Sequence, residues 1–200
     1  MNRILDITLA LFLTLLTLPL WVVIALLIVI LSPGFPFFLH PRVGQGGRIF
    51  RLIKFRTMRP SPEGRSNLTV SGDERITGIG RFLRRYKLDE LPQLLNILVG
   101  SMTFVGPRPE SPDFVKRYTA TQREIIEYKP GLTDPASLKY RYEEKILAQF
   151  ADPQTGYLES VLPDKIAIGL DYQKRRSLAS DIGIIFATAG VMLRRPEKTV

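Results

Sequence analysis

Two hundred residues are the length of one domain of ordinary size, with enough chain to bury a core of its own. The absence of cysteine and the single histidine, His40, exclude disulfide frameworks, thiolate chemistry and multi-histidine metal centres, so carboxylates, lysines and arginines must carry any chemistry. A net charge of +9 asks for a negative partner, and nucleic acid, an anionic lipid surface and phosphorylated substrates all answer to it.

From Ile7 to Leu31 the chain is apolar apart from Thr8, Thr14 and Thr17 and carries no charge. At about 1.5 Å per residue such a run is long enough for a hydrocarbon core of about 30 Å, which assigns residues 1–33 to lipid. Leu31-Ser-Pro-Gly34 is a poor leader-cleavage site, and the run exceeds a leader's apolar region. Pro19 near its middle predicts a bend, so the segment either crosses once with a kink or returns as a re-entrant helix hairpin. In the second case Thr14 or Thr17 can cover the freed carbonyls. Positive charge flanks both ends: Arg3 before the run, and Arg42, Arg48, Arg51, Lys54 and Arg56 after it.

Residues 34–200 form the second unit. Ser32 to Gly47 is rich in Pro and Gly and reads as a connector. Arg48 to Met58 mixes β-branched and aromatic residues with cations and predicts a strand; Arg59 to Asp73 predicts a loop. Thr77 to Lys87 predicts a basic amphipathic helix, with Ile79, Phe82, Leu83 and Tyr86 at helical spacing, suited to an anionic lipid interface or to a packed surface. A helix follows from about Glu90 to Val99, N-capped by Asp89, with Pro92 in its first turn and Gly100 as its stop. Gly106-Pro-Arg-Pro109 is an extended loop, Ser111 to Tyr128 and Glu143 to Phe150 are helix-like, and Lys129-Pro-Gly-Leu marks a turn between them. Ser180-Asp181 caps a last helix whose apolar face is Ile182, Ile185, Phe186, Ala189 and Met192, followed by Arg194 and Arg195. The fold class is therefore mixed α/β and mostly helical, with short strands and interfacial amphipathic helices.

Chemistry concentrates in Leu88-Asp-Glu-Leu-Pro-Gln-Leu-Leu-Asn-Ile-Leu-Val-Gly-Ser-Met-Thr-Phe-Val-Gly-Pro-Arg-Pro109. Adjacent carboxylates at a helix start are kept ionised by backbone N–H groups, which favours metal binding and nucleophilic attack. Arg108, stiffened between two prolines, is able to grip a phosphate with both arms of its guanidinium. Spacing alone leaves a purely structural reading open, in which Asp89 is a cap, Glu90 a dipole partner and Arg108 a loop ion pair.

This stretch resembles the signature of the bacterial sugar transferase family, the monotopic phosphoglycosyl transferases. The resemblance extends to Arg42-Val-Gly-x-x-Gly-Arg-Ile-Phe50, Lys54-Phe-Arg-Thr-Met58, Lys129-Pro-Gly-Leu-Thr133 and the apolar N-terminus with its central proline. It implies a re-entrant membrane helix with both ends cytoplasmic, and a compact catalytic domain on the cytoplasmic face of the bacterial inner membrane. It implies that Asp89 attacks the β-phosphate of a UDP-sugar, expels UMP and carries the sugar phosphate until polyprenyl phosphate removes it. Glu90 completes the catalytic pair as metal ligand or base, and Mg²⁺ at Asp89 and Glu90 is the implied cofactor. Lys54, Arg56, Arg84 and Arg108 are the implied phosphate-holding cations, with Tyr140 and Arg141 as nucleotide or sugar contacts. Partners are then the UDP-sugar donor, the polyprenyl phosphate acceptor and the phospholipid membrane, with no nucleic acid. The chain departs from the family at Leu18, Ser101 and Asp134, where a small polar residue, an acidic residue and a glycine are usual. Two rival functions predict other outcomes: a non-catalytic anionic-surface module in which Asp89 is dispensable, and a one-step glycosyl transferase that releases UDP.

Overall fold

In the computed structural model, which describes residues 2–59, 68–70 and 72–193, the apolar N-terminal run is a single helix, α1 (Arg3–Leu31). Pro19 sits inside it without ending it, and Thr17 Oγ1 donates to the Leu13 carbonyl one turn back at 2.7 Å. The expected membrane segment is one long apolar helix, continuous through Pro19. A proline removes one backbone donor, whereas a loop at this point would strip several carbonyls of their partners in a stretch with few polar side chains to replace them.

The stripe Asp6, Ala10, Trp21, Ile24 and Ile28 is buried at helical spacing, and the opposite face of α1 is exposed and apolar. Both ends are fastened to the rest of the protein. Asp6, 3% exposed, accepts from Thr103 Oγ1 at 2.8 and 3.0 Å and from the Phe104 N–H at 3.2 Å. Arg3 donates to the carbonyls of Ile97 and Leu98 at 2.5 and 2.6 Å. At the far end Arg56 donates to the carbonyls of Ser32, Pro33 and Gly34.

Next come β1 (Phe37–Val43) and β2 (Ile49–Phe55), an antiparallel pair in the register Phe37↔Phe55 to Val43↔Ile49. The strand β1 falls where the sequence reads as a connector, because Pro41 and the flanking glycines look like loop punctuation. Helix α2 (Gly78–Arg85) begins at the cap Thr77, whose Oγ1 accepts from the Gly80 N–H, and α3 (Gln93–Val99) ends at Gly100 with φ 89°. Asn96 of α3 acts as a substitute strand. Its Oδ1 accepts from the Ile53 N–H at 3.0 Å and its Nδ2 donates to the Arg51 carbonyl at 2.8 Å, which covers the free edge of β2. Since the Arg51 carbonyl turns toward Asn96, the Pro41↔Arg51 pair lacks ladder bonds and the proline costs the sheet nothing.

Strand β3 (Thr103–Val105) follows, then α4 (Pro112–Val115), α5 (Ala120–Arg123) and β4 (Gly131–Thr133), which pairs with β3 in parallel. The stretch expected as one helix from Ser111 to Tyr128 is broken, because the Thr119 capping box with Gln122 restarts the chain at α5. A chain of helices completes the protein: α6 (Pro135–Lys139), α7 (Glu143–Leu147), α8 (Pro153–Gly156), α9 (Leu162–Arg175) and α10 (Leu178–Leu193). The sequence reading assigned nothing to α8 and α9. The start of α10 also differs from expectation: Ser177 and Ser180 cap each other, while Asp181, 1% exposed, is drawn inward to Arg176 and Tyr172. The loop expected at 59–73 lies largely outside the described residues, as do Arg194 and Arg195.

Two apolar cores result. One joins α1 to Leu52, Phe55, Leu83, Leu94, Ile97, Met102 and Phe104; Trp21 meets Phe55 edge-on, with ring centroids 6.1 Å apart. The other joins Val43, Phe114, Val115 and Tyr118 to Leu147, Tyr157 and Ile166. The segment from Gly106 to Glu110 passes from the first core to the second. There Gly106 and Gly131 meet backbone to backbone: a Cβ on Gly131 would lie 2.1 Å from the Gly106 nitrogen. The bonds Gly131 N–H to Pro107 carbonyl and Gly106 N–H to Thr133 carbonyl, both 3.0 Å, clamp the two glycine-proline motifs together.

Replacing Asn96 with alanine leaves two inward-facing backbone groups of β2 without partners, each worth about 1–3 kcal/mol. Thermal unfolding of Asn96→Ala in detergent is expected to shift downward by several degrees; an unchanged midpoint would remove Asn96 as the edge cover of β2.

Candidate active site

Lys87, the only non-glycine residue with positive φ among the described residues (56°), turns the chain sharply out of α2. A single 3₁₀ turn, Leu88–Glu90, follows, and both carboxylates on it are buried: Asp89 is 6% and Glu90 7% exposed. Asp89 is therefore not the side-chain cap of α3, which the sequence predicted; Pro92 precedes that helix and no side chain caps it. The extra turn moves the pair back from the helix start and under cover.

Glu90 Oε1 is held by two cations from different parts of the chain. Lys54 Nζ, at the end of β2, lies 3.2 Å away, and Arg108 Nη2, from the loop after β3, lies 3.0 Å away. Burial by itself raises the Glu90 pKa, but Arg108 and then Lys54 and Lys87 outweigh it and hold the group well below the usual carboxylate range. Glu90 in turn raises the pKa of Arg108, while burial lowers that of Lys54. Asp89 behaves in the opposite way. Burial pushes its pKa up, with the neighbouring Glu90 charge adding to this and Lys54, Lys87 and Arg84 opposing it. Its Oδ1 is buried with no hydrogen-bond partner. The pair thus consists of one carboxylate anchored between cations and one with a buried, unpartnered oxygen, the arrangement that suits a nucleophile beside phosphate-binding charge.

Of the cations read from the sequence, Lys54 and Arg108 meet at Glu90. Arg84, on α2, reaches Glu144 and the Met58 sulfur, and its charge acts on Asp89. Arg56 is engaged by the carbonyls that follow α1. Tyr140 donates to Asp164 at 2.7 Å, which Lys139 also reaches, and Arg141 donates to the Val191 carbonyl of α10 at 2.8 Å, so neither is brought to the carboxylate pair by a described bond.

Further participants went unassigned in the sequence. Glu110 accepts from Tyr157 and faces Arg42 at 3.5 Å and Lys165 at 3.6 Å, and Lys165 also pairs with Glu143 at 2.8 Å. Burial favours the neutral form of Glu110, yet Lys165 and Arg42 hold it ionised and its pKa lowered. This network anchors the far end of the Arg108 loop. Gln93, 2% exposed, lines a small cavity with Arg42, Leu52, Arg108 and Pro109. Glu110 extends the Pro-Arg-Pro motif by one residue, a signal available in the sequence; Lys165 has none.

Among the described residues no three acidic or histidine side chains gather as a metal cage. Asp89 and Glu90 supply hard oxygen donors, with Asp89 Oδ1 unpartnered. That set fits a small divalent ion such as Mg²⁺, which is commonly held by one or two carboxylates and completed by substrate phosphates and water.

Comparison with known proteins identifies the family. A family model described as bacterial sugar transferase matches residues 1–195. The UDP-glucose:undecaprenyl-phosphate glucose-1-phosphate transferase of Caulobacter vibrioides is 36% identical over 198 residues, which cover 96% of this chain and 69% of that protein. The UDP-N-acetylgalactosamine-undecaprenyl-phosphate N-acetylgalactosaminephosphotransferase of Aeromonas hydrophila is 35% identical over 184 residues, 88% of this chain and 39% of that protein. A putative undecaprenyl-phosphate N-acetylgalactosaminyl 1-phosphate transferase of Bacillus subtilis is 41% identical over 133 residues, 66% of this chain and 70% of that protein. The chain thus spans about two thirds of the length of some curated relatives and little more than a third of others. With the match running over nearly its whole length, the chain belongs to the bacterial sugar transferase family.

Proposed function

We propose that this chain transfers a sugar 1-phosphate from a UDP-sugar to undecaprenyl or a related polyprenyl phosphate, with release of UMP, as a first step in assembling a membrane glycoconjugate. The observation that carries the reading is the buried Asp89 with an unpartnered oxygen, beside a Glu90 that holds Lys54 and Arg108 in place. The named relatives support the overall reaction, since they are sugar-phosphate transferases acting on undecaprenyl phosphate.

The chemistry proceeds in two displacements at one phosphorus. An oxygen of Asp89 attacks the β-phosphorus of the donor, and the bond from that phosphorus to the bridging oxygen breaks, so that UMP leaves with the bridging oxygen. The sugar phosphate remains as an anhydride on Asp89. A phosphate oxygen of the polyprenyl carrier then attacks the same phosphorus and restores the carboxylate. Burial of Asp89 makes it more basic than a solvated carboxylate, and Lys54, Lys87 and Arg84 keep the anion accessible. Glu90, clamped as an anion, is suited to positioning Lys54 and Arg108 against the diphosphate rather than to taking a proton. Mg²⁺, held at Asp89 and Glu90, would supply charge neutralisation for the diphosphate. Arg84 serves as a third cation near Asp89. Arg56, Tyr140 and Arg141 act at the edges, in seating α1, α6 and α10.

The membrane reading rests on α1, whose 29 residues amount to about 44 Å of helix. Arg3 and Asp6 at its start and Ser32 at its end are bonded to the same body, which supports entry and exit on one face of the bilayer, taken as the cytoplasmic face of the inner membrane. Exposed Phe82 with Arg81 and Arg85 on α2, and Leu178, Ile182 and Phe186 on α10, suit the lipid boundary.

Incubation with a panel of UDP-sugars and no acceptor is expected to release UMP, not UDP, and to leave a sugar-phosphate mass on the peptide containing Asp89. Asp89→Asn should lose turnover by about 10³-fold or more while remaining folded; UDP as product, or an active Asp89→Asn, would overturn the mechanism. A pH profile tests the electrostatics. The reactive form of Asp89 is the anion and its pKa is raised, so the acid limb of kcat/KM is expected above the ordinary carboxylate value of about 4, with activity lost as pH falls through it. Removing the opposing charge in Lys54→Met should move that limb to higher pH; a limb that stays or falls contradicts the assignment. For topology, a label at residue 2 in sealed vesicles should react from the cytoplasmic side, and exclusive reaction from the other side would establish a spanning helix instead.

A further inference from the structure

One cavity beside the carboxylate pair is lined by Arg42, Leu52, Gln93, Arg108 and Pro109. Its polar side chains are two arginines and an amide, with no carboxylate among them. Gln93 is 2% exposed, and its Nε2 has no hydrogen-bond partner. Arg42 faces Glu110 through Nη1 at 3.5 Å, but its Nε is also buried without a partner. Arg108 presents one nitrogen to Glu90. Buried donors left unpaired cost as much as a lost hydrogen bond, and native proteins keep few of them. Both residues line this cavity with Arg108, and its free space is about that of one water molecule, so a single oxygen is what it admits; beside two arginines an anionic oxygen with several lone pairs satisfies such donors best. Leu52 and Pro109 keep the remaining wall apolar, which strengthens any charge-assisted bond made there. A neutral amide in this position adds a donor without adding repulsion among Arg42, Arg108 and Lys54.

The geometry points to Gln93 and Arg42 as further phosphate-oxygen donors that, with Arg108, form a three-donor anion subsite on the flank of Glu90. This inference rests on the proposed function in taking the anion to be a phosphate of one of the two substrates. The donor diphosphate and the carrier monophosphate share that chemistry, so both enter the test.

Binding is measured on the full chain carrying Asp89→Asn, so that no bond is broken and the result does not depend on which nucleotide is the product. One arm titrates UDP into the detergent-solubilised protein by calorimetry; the other measures partition onto lipid nanodiscs with and without polyprenyl monophosphate. Gln93→Met keeps the length of the side chain and removes the donor, and is expected to weaken binding about tenfold, the effect of one hydrogen bond to a charged group. Gln93→Glu keeps the shape and places an anion in the subsite, and should weaken binding further. A loss confined to the UDP arm assigns the subsite to the donor, and one confined to the lipid arm assigns it to the carrier; either supports the proposal. Unchanged binding in both arms for both variants overturns it. So does a Gln93→Glu that binds like the parent while Gln93→Met does not, because the amide would then present its oxygen to the arginines.

Discussion

The anion of Glu90 is the constraint on which the site depends. Lys54 comes from the end of β2 and Arg108 from the loop after β3, and neither would hold its position without a negative charge between them. Removing one partner of such a buried pair leaves an uncompensated charge, which costs about 3–5 kcal/mol, whereas the intact cluster is nearly neutral in its contribution to stability. The gain is geometric: three segments distant in sequence converge on one carboxylate. Asp89, its neighbour, has no such claim on it and keeps one buried oxygen unpartnered. Two adjacent carboxylates thus acquire opposite characters from their surroundings alone.

Everything around the pair serves to keep that convergence fixed. Asn96 ties α3 to the edge of β2 and so sets the distance between Glu90 and Lys54. Gly106 and Gly131 allow two backbones to touch, which fixes the loop bearing Arg108 from one side. Glu110, with Arg42, Lys165 and Tyr157, fixes it from the other. The site sits at the seam between two apolar cores, so each core contributes rigid walls and neither has to bury the charges alone.

Much of this was legible in the sequence where the signal is local. The length and apolarity of α1, the basic helix from Thr77, the strand around Phe50, the Gly100 stop and the Asp89-Glu90 pair depend on neighbours in the chain. What escaped depends on distant partners. Pro41 made β1 look like a connector, because its acceptability follows from where Asn96 places the Arg51 carbonyl. The 3₁₀ turn at Leu88–Glu90 follows from Lys87 adopting positive φ, which no propensity of lysine announces. The strands β3 and β4 have three residues each, too few to show alternation, and are recognisable only by their pairing. The choice of Lys54 and Arg108 from among many cations was suggested by motif, but Lys165 and Gln93 are unremarkable in sequence and gain their place through packing.

The double fastening of α1 also sets a height. A helix moored at one end can slide along the bilayer normal, tilt, or rise and sink with lipid thickness. If α1 lies in the bilayer as proposed, its mooring through Arg3 and Asp6 at its beginning and through Ser32 to Gly34 at its end would carry the attached body at a fixed elevation. Asp6 bonds Thr103 at the start of β3, two residues before the turn toward Arg108. The residue that holds Asp6 and the loop that carries Arg108 are thus joined by one short strand, so the position of the helix start and that of the arginine are linked through β3. On the proposed membrane reading, a lipid phosphate held at one particular depth would therefore stand at a set distance from the Glu90 cluster.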